Sequence, residues 1–440
     1  MLDWLSQYDL ALWTIGTGVL ANSVCAMLGC YLVLRRMSLL GDAISHAVLP
    51  GIVIGALWGG QLSGPAVFIG AVLVGLLTAY LTHSLHSYGN VPEDASMGVV
   101  FTSLFAIGVI LITQFANRVH IDASCALYGQ IEFVPLDTVA ISGWEIPRAF
   151  LALSIVLGVT LAFVLLLWKE LKLVSFDPTL ATAMGLSAVI VHYLLMSMVA
   201  VVTVASFEAV GSILVIAMLI VPASTAHLLV DRLGWMMVWA VICGVLSAVL
   251  GYWGAAAWNT SVSGMMAVVA GGLFSLAVIF APRHGVLTRG LMTLRLALQI
   301  VREDILAMLY RAEEQQRSGE PARPVTSRDC VRFGGGGVVA WIAYALLRRR
   351  GLVRRDRNGA VSLTERGLEG ARSLVRSHRL WESYLEKHFE LPLDHLHEPA
   401  SRIEHFIGPR LQAELENELQ LPEVDPHGKS IPPRRNVSEE

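Results

Sequence analysis

Asp42 and His46 stand four residues apart in an apolar stretch, so a helix through them puts a carboxylate and an imidazole on one face. In a low-dielectric setting this pair suits a divalent transition metal such as Mn, Fe or Zn. The same spacing also fits an N-terminal Asp favoured by the helix dipole beside a hydrogen-bonded core His. Ionisable groups inside a membrane are costly, and that weighs toward a transport path. Glu208 is a further acid in apolar surroundings. Toward the C-terminus the pattern returns: His378 and Glu382 are i, i+4, while His397, Ser401, Glu404 and His405 fall at i, i+4, i+7 and i+8, one helical stripe. Two such helices facing each other would assemble a His/carboxylate metal site. No GxxxxGK[ST] phosphate loop occurs, and Gly334–Gly337 runs into Val338 and Val339 with no Lys to meet a phosphate. Hydrolysis of ATP would need another subunit. The five cysteines are scattered without a CxxC pair, which supports neither a disulfide framework nor a thiolate zinc site.

The elements that must position these groups differ sharply between the two parts of the chain. Of 440 residues 55% are hydrophobic and 15% charged, against about 25% charged in soluble domains. This argues against a wholly soluble enzyme and against a disordered chain. Residues 1–282 hold only 20 charged side chains, and residues 283–440 hold 47. Nine stretches are apolar enough to cross a bilayer, at about 20 residues each: 10–34, 43–61, 63–85, 95–115, 149–168, 185–205, 208–229, 234–257 and 263–282. With the N-terminus outside, Arg35, Arg36, Lys169, Lys172 and Arg232 fall in inside loops and only Arg118 and Arg148 outside, as the positive-inside rule prefers. The basic tail then also falls inside. In the inside connection KELKLVSFDPTLATAMG, Asp177 and Pro178 suit the start of a short helix and Gly185 its end. Such a helix at the cytoplasmic face is a natural contact for a soluble partner.

The tail opens with an amphipathic helix over 283–316 and a linker, Ser318–Pro324. Two helices, a turn at Asp356–Gly359 between short extended pieces and a further helix over 367–388 follow, the order of a winged helix-turn-helix. Residues 283–381 carry a net +10, and residues 382–440 a net −7.

The stretch RRMSLLGDAISHAVLPG (Arg35–Gly51) resembles the permease subunits of the zinc/manganese/iron branch of ABC transporters. The resemblance continues through Asp177–Gly185 and through VGSILVIAMLIVPASTA (Val210–Ala226), and covers essentially 1–285. It implies that Asp42 and His46 lie in the metal path, and that Asp177, Pro178 and Gly185 belong to a coupling helix that docks on an ATPase. It also implies a second permease subunit, an ABC ATPase subunit and an extracytoplasmic metal-binding protein as partners, with no cofactor in the permease itself.

The tail resembles metal-dependent repressors of the diphtheria-toxin-repressor type over about 300–433, most clearly at SHRLWESYL (Ser377–Leu385), LHEPASRIEH (Leu396–His405) and PHGKSIP (Pro426–Pro432). The resemblance implies one metal site at His378, Glu382 and His397, and part of another at Glu404 and His405, holding a divalent metal such as Mn or Fe. Two departures stand out. Ser401 replaces a Cys or Glu, and the ligand expected from the first helix has no evident counterpart. The helix that would read DNA carries Val339, Trp341 and Ile342 where base-edge readout needs donors and acceptors. Its basic charge suits phosphates or anionic lipid equally.

The expectation is thus an all-α polytopic membrane domain of about nine transmembrane helices (1–285), a cytoplasmic winged-helix-like domain with a small β hairpin (286–376) and a helical metal-binding-like domain (377–440), in the cell inner membrane. The expected function is the permease of an ABC importer for a divalent transition metal, manganese first. Zinc or iron import, a membrane-tethered metal-dependent transcriptional regulator with DNA as partner, and a secondary transporter without an ATPase are the alternatives.

Overall fold

The computed structural model describes residues 2–59, 64–115, 131–141, 144–319, 323–389 and 391–433. Arg118 and Asp122 in the long connection, and the side chain of Glu208, lie outside the described ones. The chain forms two compact units, Met1–Thr288 and Arg289–Glu440.

In the first unit, α1 (Leu2–Leu34) is the central helix, and every residue from Ala21 to Leu32 is buried. Around it stand α2 (Leu40–Ala47), α3 (Leu49–Gly59), α4 (Pro65–Gly89), α5 (Glu93–Phe115), α6 (Arg148–Leu166), the short α7 (Trp168–Phe176) and α8 (Pro178–Ala183), then α9 (Ala188–Val210), α10 (Ser212–Leu229), α11 (Leu233–Trp258) and α12 (Val262–Phe280). Among the described residues eight helices, with α2 and α3 taken as one span, are long and apolar enough to cross a membrane. The expected seventh stretch is α10, an apolar helix of 18 residues that Gly211, at φ +80°, separates from α9.

The second span is not one continuous helix. Pro50 has no N–H to offer the carbonyl of His46 four residues earlier, and the chain divides at Val48 into α2 and α3. The long connection contains an antiparallel hairpin, β1 (Thr138–Ile141) and β2 (Trp144–Pro147), with Thr138 opposite Pro147. Just before it, Glu132 accepts a 2.7 Å hydrogen bond from the Val262 N–H and so caps α12.

Helices in lipid associate through close van der Waals packing, which favours small residues where backbones approach. A Cβ on Gly29 of α1 would lie 1.8 Å from the Leu219 carbonyl oxygen of α10, and one on Gly51 of α3 would lie 2.3 Å from the Gly70 carbonyl oxygen of α4.

The second unit contains α13 (Val286–Arg317, which starts in the first unit's last residues), α14 (Ser327–Phe333), α15 (Gly337–Arg349), the antiparallel pair β3 (Val353–Arg355) and β4 (Val361–Leu363), α16 (Glu365–Phe389), α17 (His397–Ile403) and α18 (Pro409–Glu418). A capping box of Thr326 and Asp329 starts α14. Gly335, Gly336 and Gly337 all take positive φ and make the tight turn into α15. One apolar cluster, including Ile305, Leu309, Tyr344, Leu347 and Val361, joins α13 to the helix–helix–hairpin part. Another, with Leu380, Ile407, Leu415 and Ile431, lies in the following part. Helix α16 runs unbroken through both.

Arg379 is buried on α16 and is matched by the Glu314 carboxylate of α13 (2.6 and 3.1 Å), the Asp425 carboxylate (3.3 Å) and the Ser430 carbonyl (2.5 Å). A buried charge left without such partners costs about 3–5 kcal/mol.

Gly29→Ala should therefore sharply reduce the yield of monodisperse protein after detergent extraction. Gly158→Ala, where an added Cβ meets nothing within 4 Å, should not. Equal yields of the two variants would contradict this packing.

Candidate metal-binding sites

In the membrane unit, Asp42 and His46 lie on α2 with their side chains 3.3 Å apart, from Asp42 Oδ1 to His46 Nε2. Both are half-exposed, while Leu40, Gly41, Ala43, Ile44, Ser45 and Ala47 are buried. The helix therefore has one open face, and these two groups occupy it. Phe101 and Phe105 of α5 set their rings 6.3 and 6.1 Å from the imidazole. An anionic oxygen and an imidazole nitrogen at this separation can share one divalent cation.

The Asp177–Gly185 segment is a short capped helix. Asp177 Oδ1 accepts hydrogen bonds from the Leu180 N–H (2.9 Å) and the Thr179 hydroxyl (2.6 Å), and these hold its carboxyl below the usual range. Pro178 fills the first helical position, and Gly185, at φ +85°, ends the segment. Only Ala181 of α8 is buried. Phe176 at the end of α7, Leu180 on α8 and Met184 just after it are exposed apolar side chains, at 59%, 47% and 68% exposure.

In the second unit, α16 presents His378 and Glu382 to His397 at the start of α17. His378 Nε2 lies 3.0 Å from Glu382 Oε1 and 2.9 Å from His397 Nδ1, and these last two are 3.1 Å apart. Neighbouring ligands of an octahedral ion, with bonds of about 2.1 Å, sit about 3 Å apart, so the donor set fits a divalent cation. The other His378 nitrogen, Nδ1, lies 2.5 Å from Glu404 Oε2. Burial opposes charge on His378, but Glu382 and Glu404 together raise its pKa above the ordinary value. Burial likewise opposes ionisation of Glu382, yet His378 and His397 hold it down at about 2. A metal arriving here would displace the proton on His378 Nε2. His397 is the exposed member and opens the cluster to solvent.

The expected single stripe from His397 to His405 is not one helix. Helix α17 ends at Ile403, and Glu404–Phe406 form a 3-10 turn. The turn sends His405 to α13, where its Nδ1 lies 2.8 Å from Glu303 and its Nε2 3.3 Å from Asp304. Asp304, Glu404 and His405 form a second group able to hold a metal. Glu404 therefore joins the two clusters. Glu303 and Asp304 escaped the sequence reading. An adjacent acid pair is no signal by itself, because Glu313 and Glu314 form a second one on the same helix.

The exposed face of α15 carries Val338 and Trp341, while Val339 and Ile342 are half-buried. That face holds no hydroxyl or amide side chain to read a base edge.

Comparison with known proteins agrees with both halves. The ABC 3 transport family matches residues 7–281. The chain belongs to the ABC 3 transport family. The "Iron dependent repressor, metal binding and dimerisation domain" family matches residues 364–433 of this ABC 3 family member. The manganese transport system membrane protein MntD of Bacillus subtilis is 49% identical over 285 residues, 64% of this chain and 96% of its own length. The zinc transport system membrane protein TroD of Treponema pallidum is 36% identical over 351 residues, 78% of this chain and 93% of its own. The solved structure of PsaBC from Streptococcus pneumoniae in complex with Fab shares 30% identity at a TM-score of 0.54, covering 64% of this chain and 96% of that one. This member of the ABC 3 family is a multi-pass membrane transport subunit with a metal-binding-repressor-like tail.

The two carboxylates around His405 raise its pKa to about 9 against the opposing effect of burial. A raised histidine pKa stabilises the fold fully below the unfolded value near 6.5 and loses that contribution as pH climbs through 9. In full-length protein stripped of metal, the tail should resist trypsin better than the tail of His405→Gln at pH 6. That difference should vanish by about pH 9.5. A gap that widens with pH would contradict the assignment.

Proposed function

We propose that this chain is the permease subunit of an ATP-driven importer of a divalent transition metal, manganese first, and that its tail senses the same metal in the cytoplasm. The observation that carries the reading is the Asp42–His46 pair, alone on the open face of an otherwise buried helix. A hard carboxylate with an imidazole fits Mn or Fe somewhat better than Zn, and the Bacillus subtilis relative bears manganese in its name.

The positive-inside count supports an external N-terminus, with α7, α8 and the tail in the cytoplasm of a cell whose inner membrane holds the permease. In that orientation the capped segment of Asp177, Pro178 and Gly185 offers the exposed Phe176, Leu180 and Met184 side chains to a separate ATPase. A second permease subunit and an external metal-binding protein complete the assembly. The permease needs no cofactor, because the metal is its cargo.

The tail works in two parts, 286–376 and 377–440, joined through α16. His378, Glu382 and His397 would hold one regulatory metal, and Glu404 and His405 with Glu303 and Asp304 another. A bound metal would supply a fixed positive centre linking α13, α16 and α17. To inhibit transport it must favour the resting arrangement over the transporting one, since equal affinity for both shifts nothing. Coupling of this kind is worth about 1–3 kcal/mol, or about 5–150-fold in activity. The apolar exposed face of α15 weighs against sequence-specific DNA binding.

Asp42→Asn combined with His46→Ala should abolish metal uptake in proteoliposomes holding the full assembly while leaving membrane insertion unchanged, and normal uptake would sink the path assignment. Changing His397 and His405 to Ala should leave basal uptake intact but remove its shut-off when the compartment facing the tail is loaded with metal. Wild-type shut-off in that variant would overturn the sensing role. Tight, metal-dependent binding of one DNA sequence by the intact chain would favour the tethered-regulator reading instead. Cysteines placed in Asp177–Gly185 should cross-link to the ATPase, and cysteines at 131–140 should not.

A further inference from the structure

Residues 323–361 hold nine Arg and no Lys, against two Asp. One of those acids, Asp329, is taken up in the capping box of α14. On α15, Val338, Trp341, Arg348 and Arg349 are exposed and fall at i, i+3, i+10 and i+11, which is one helical face. That face is apolar at its start and basic at its end. Val338 is 74% exposed, Trp341 64%, and Phe333, at the end of α14, 53%. Trp341 is also one wall of a groove of about 420 Å³ between α14 and α15, which Val331, Arg328 and Arg332 border. Large apolar side chains left in water beside a groove of this kind mark a surface that binds something.

We propose that this face of α14 and α15 docks on the anionic headgroups of the bilayer that holds the permease. The inference rests on the proposed function only in taking α12 as a membrane span. Three observations choose a lipid surface. The first is chemical: a Trp ring settles at headgroup level, and Arg beside it meets lipid phosphates; Trp341 shares its groove with Arg328 and Arg332. The second is connectivity. Only five residues separate α12 from α13, and Ile305 of α13 packs in one apolar cluster with Tyr344 of α15. Ile305 lies about 30 Å along α13 from its start, so the tether keeps the bilayer within reach at high effective concentration. The third is what the face lacks. With no hydroxyl or amide for a base edge, DNA would have only its phosphates to offer, and the exposed Val338 and Trp341 would gain nothing. The contact answers to lipid charge and not to metal.

Full-length, metal-stripped protein in nanodiscs tests this, with a spin label on Val338→Cys. One set of discs is phosphatidylcholine, and the other is phosphatidylcholine with phosphatidylglycerol. Wild type treated with the same reagent gives the background from the native cysteines. In the anionic discs the Val338→Cys label should gain collisions with oxygen and lose collisions with a water-soluble nickel chelate. A label on Asn417→Cys, exposed on α18, should stay open to nickel in both lipids. Adding R328Q/R332Q/R348Q/R349Q should remove the shift at Val338→Cys. Equal accessibility in the two lipids overturns the proposal, and so does the same shift at Asn417→Cys or a shift that survives the four Arg changes in full. Duplex DNA that returns the label to water would make DNA the preferred occupant and also overturn it. Should the four-Arg variant not fold, raising the salt replaces it: the label should move back toward water as the charges are screened, and no movement overturns the proposal. No transport is measured, so failure of the importer reading would leave the result standing.

Discussion

The membrane unit is organised around α2, a short helix in which every residue but Asp42 and His46 is buried. A carboxylate in that setting needs a cation, a proton or a hydrogen-bond partner, and the imidazole 3.3 Å away is the partner at hand. Everything else on α2 is buried, so the pair has one direction to face. Pro50 removes the hydrogen bond that would continue the helix past His46, which sets α2 off as a separate short element. Gly29 and Gly51 let neighbouring backbones come close enough to keep that short helix in place without polar contacts of its own.

The second unit solves a similar problem by connecting its charges. Glu382, His378 and Glu404 form a continuous buried chain of hydrogen bonds, and the adjacent His405 pairs with Glu303 and Asp304 on α13. Glu314 ties α13 to Arg379 on α16. Five residues separate the end of α12 from the start of α13. The helix that leaves the last membrane span is therefore the one whose side chains meet both the metal-type clusters and the buried arginine.

Much of this was legible in the residues. Apolar length marked the membrane helices, because a span in lipid cannot hide its composition. Asp177, Pro178 and Gly185 marked their short helix through local capping chemistry. His378 and Glu382 share a face because helical spacing requires it. What escaped depends on contacts distant in sequence. Nothing in Glu303 or Asp304 points to His405, about a hundred residues away; the 3-10 turn at Glu404 makes that meeting. The hairpin β1–β2 is too short to show a period, and the break at Val48 needed Pro50 to be read as a helix divider rather than as a residue tolerated near a helix start.

The central claim is that the side chains on the open face of α2 touch the cargo. Exchanging one donor for a softer one tests this most directly, because ligand softness sets metal preference. In proteoliposomes holding the complete assembly, uptake of Mn²⁺ and of Cd²⁺ would be measured for wild type and for His46→Cys. Direct contact predicts that Mn²⁺ uptake falls while Cd²⁺ uptake rises relative to it, by about tenfold or more in the ratio. A variant in which both metals change in the same proportion would contradict contact between His46 and the transported ion.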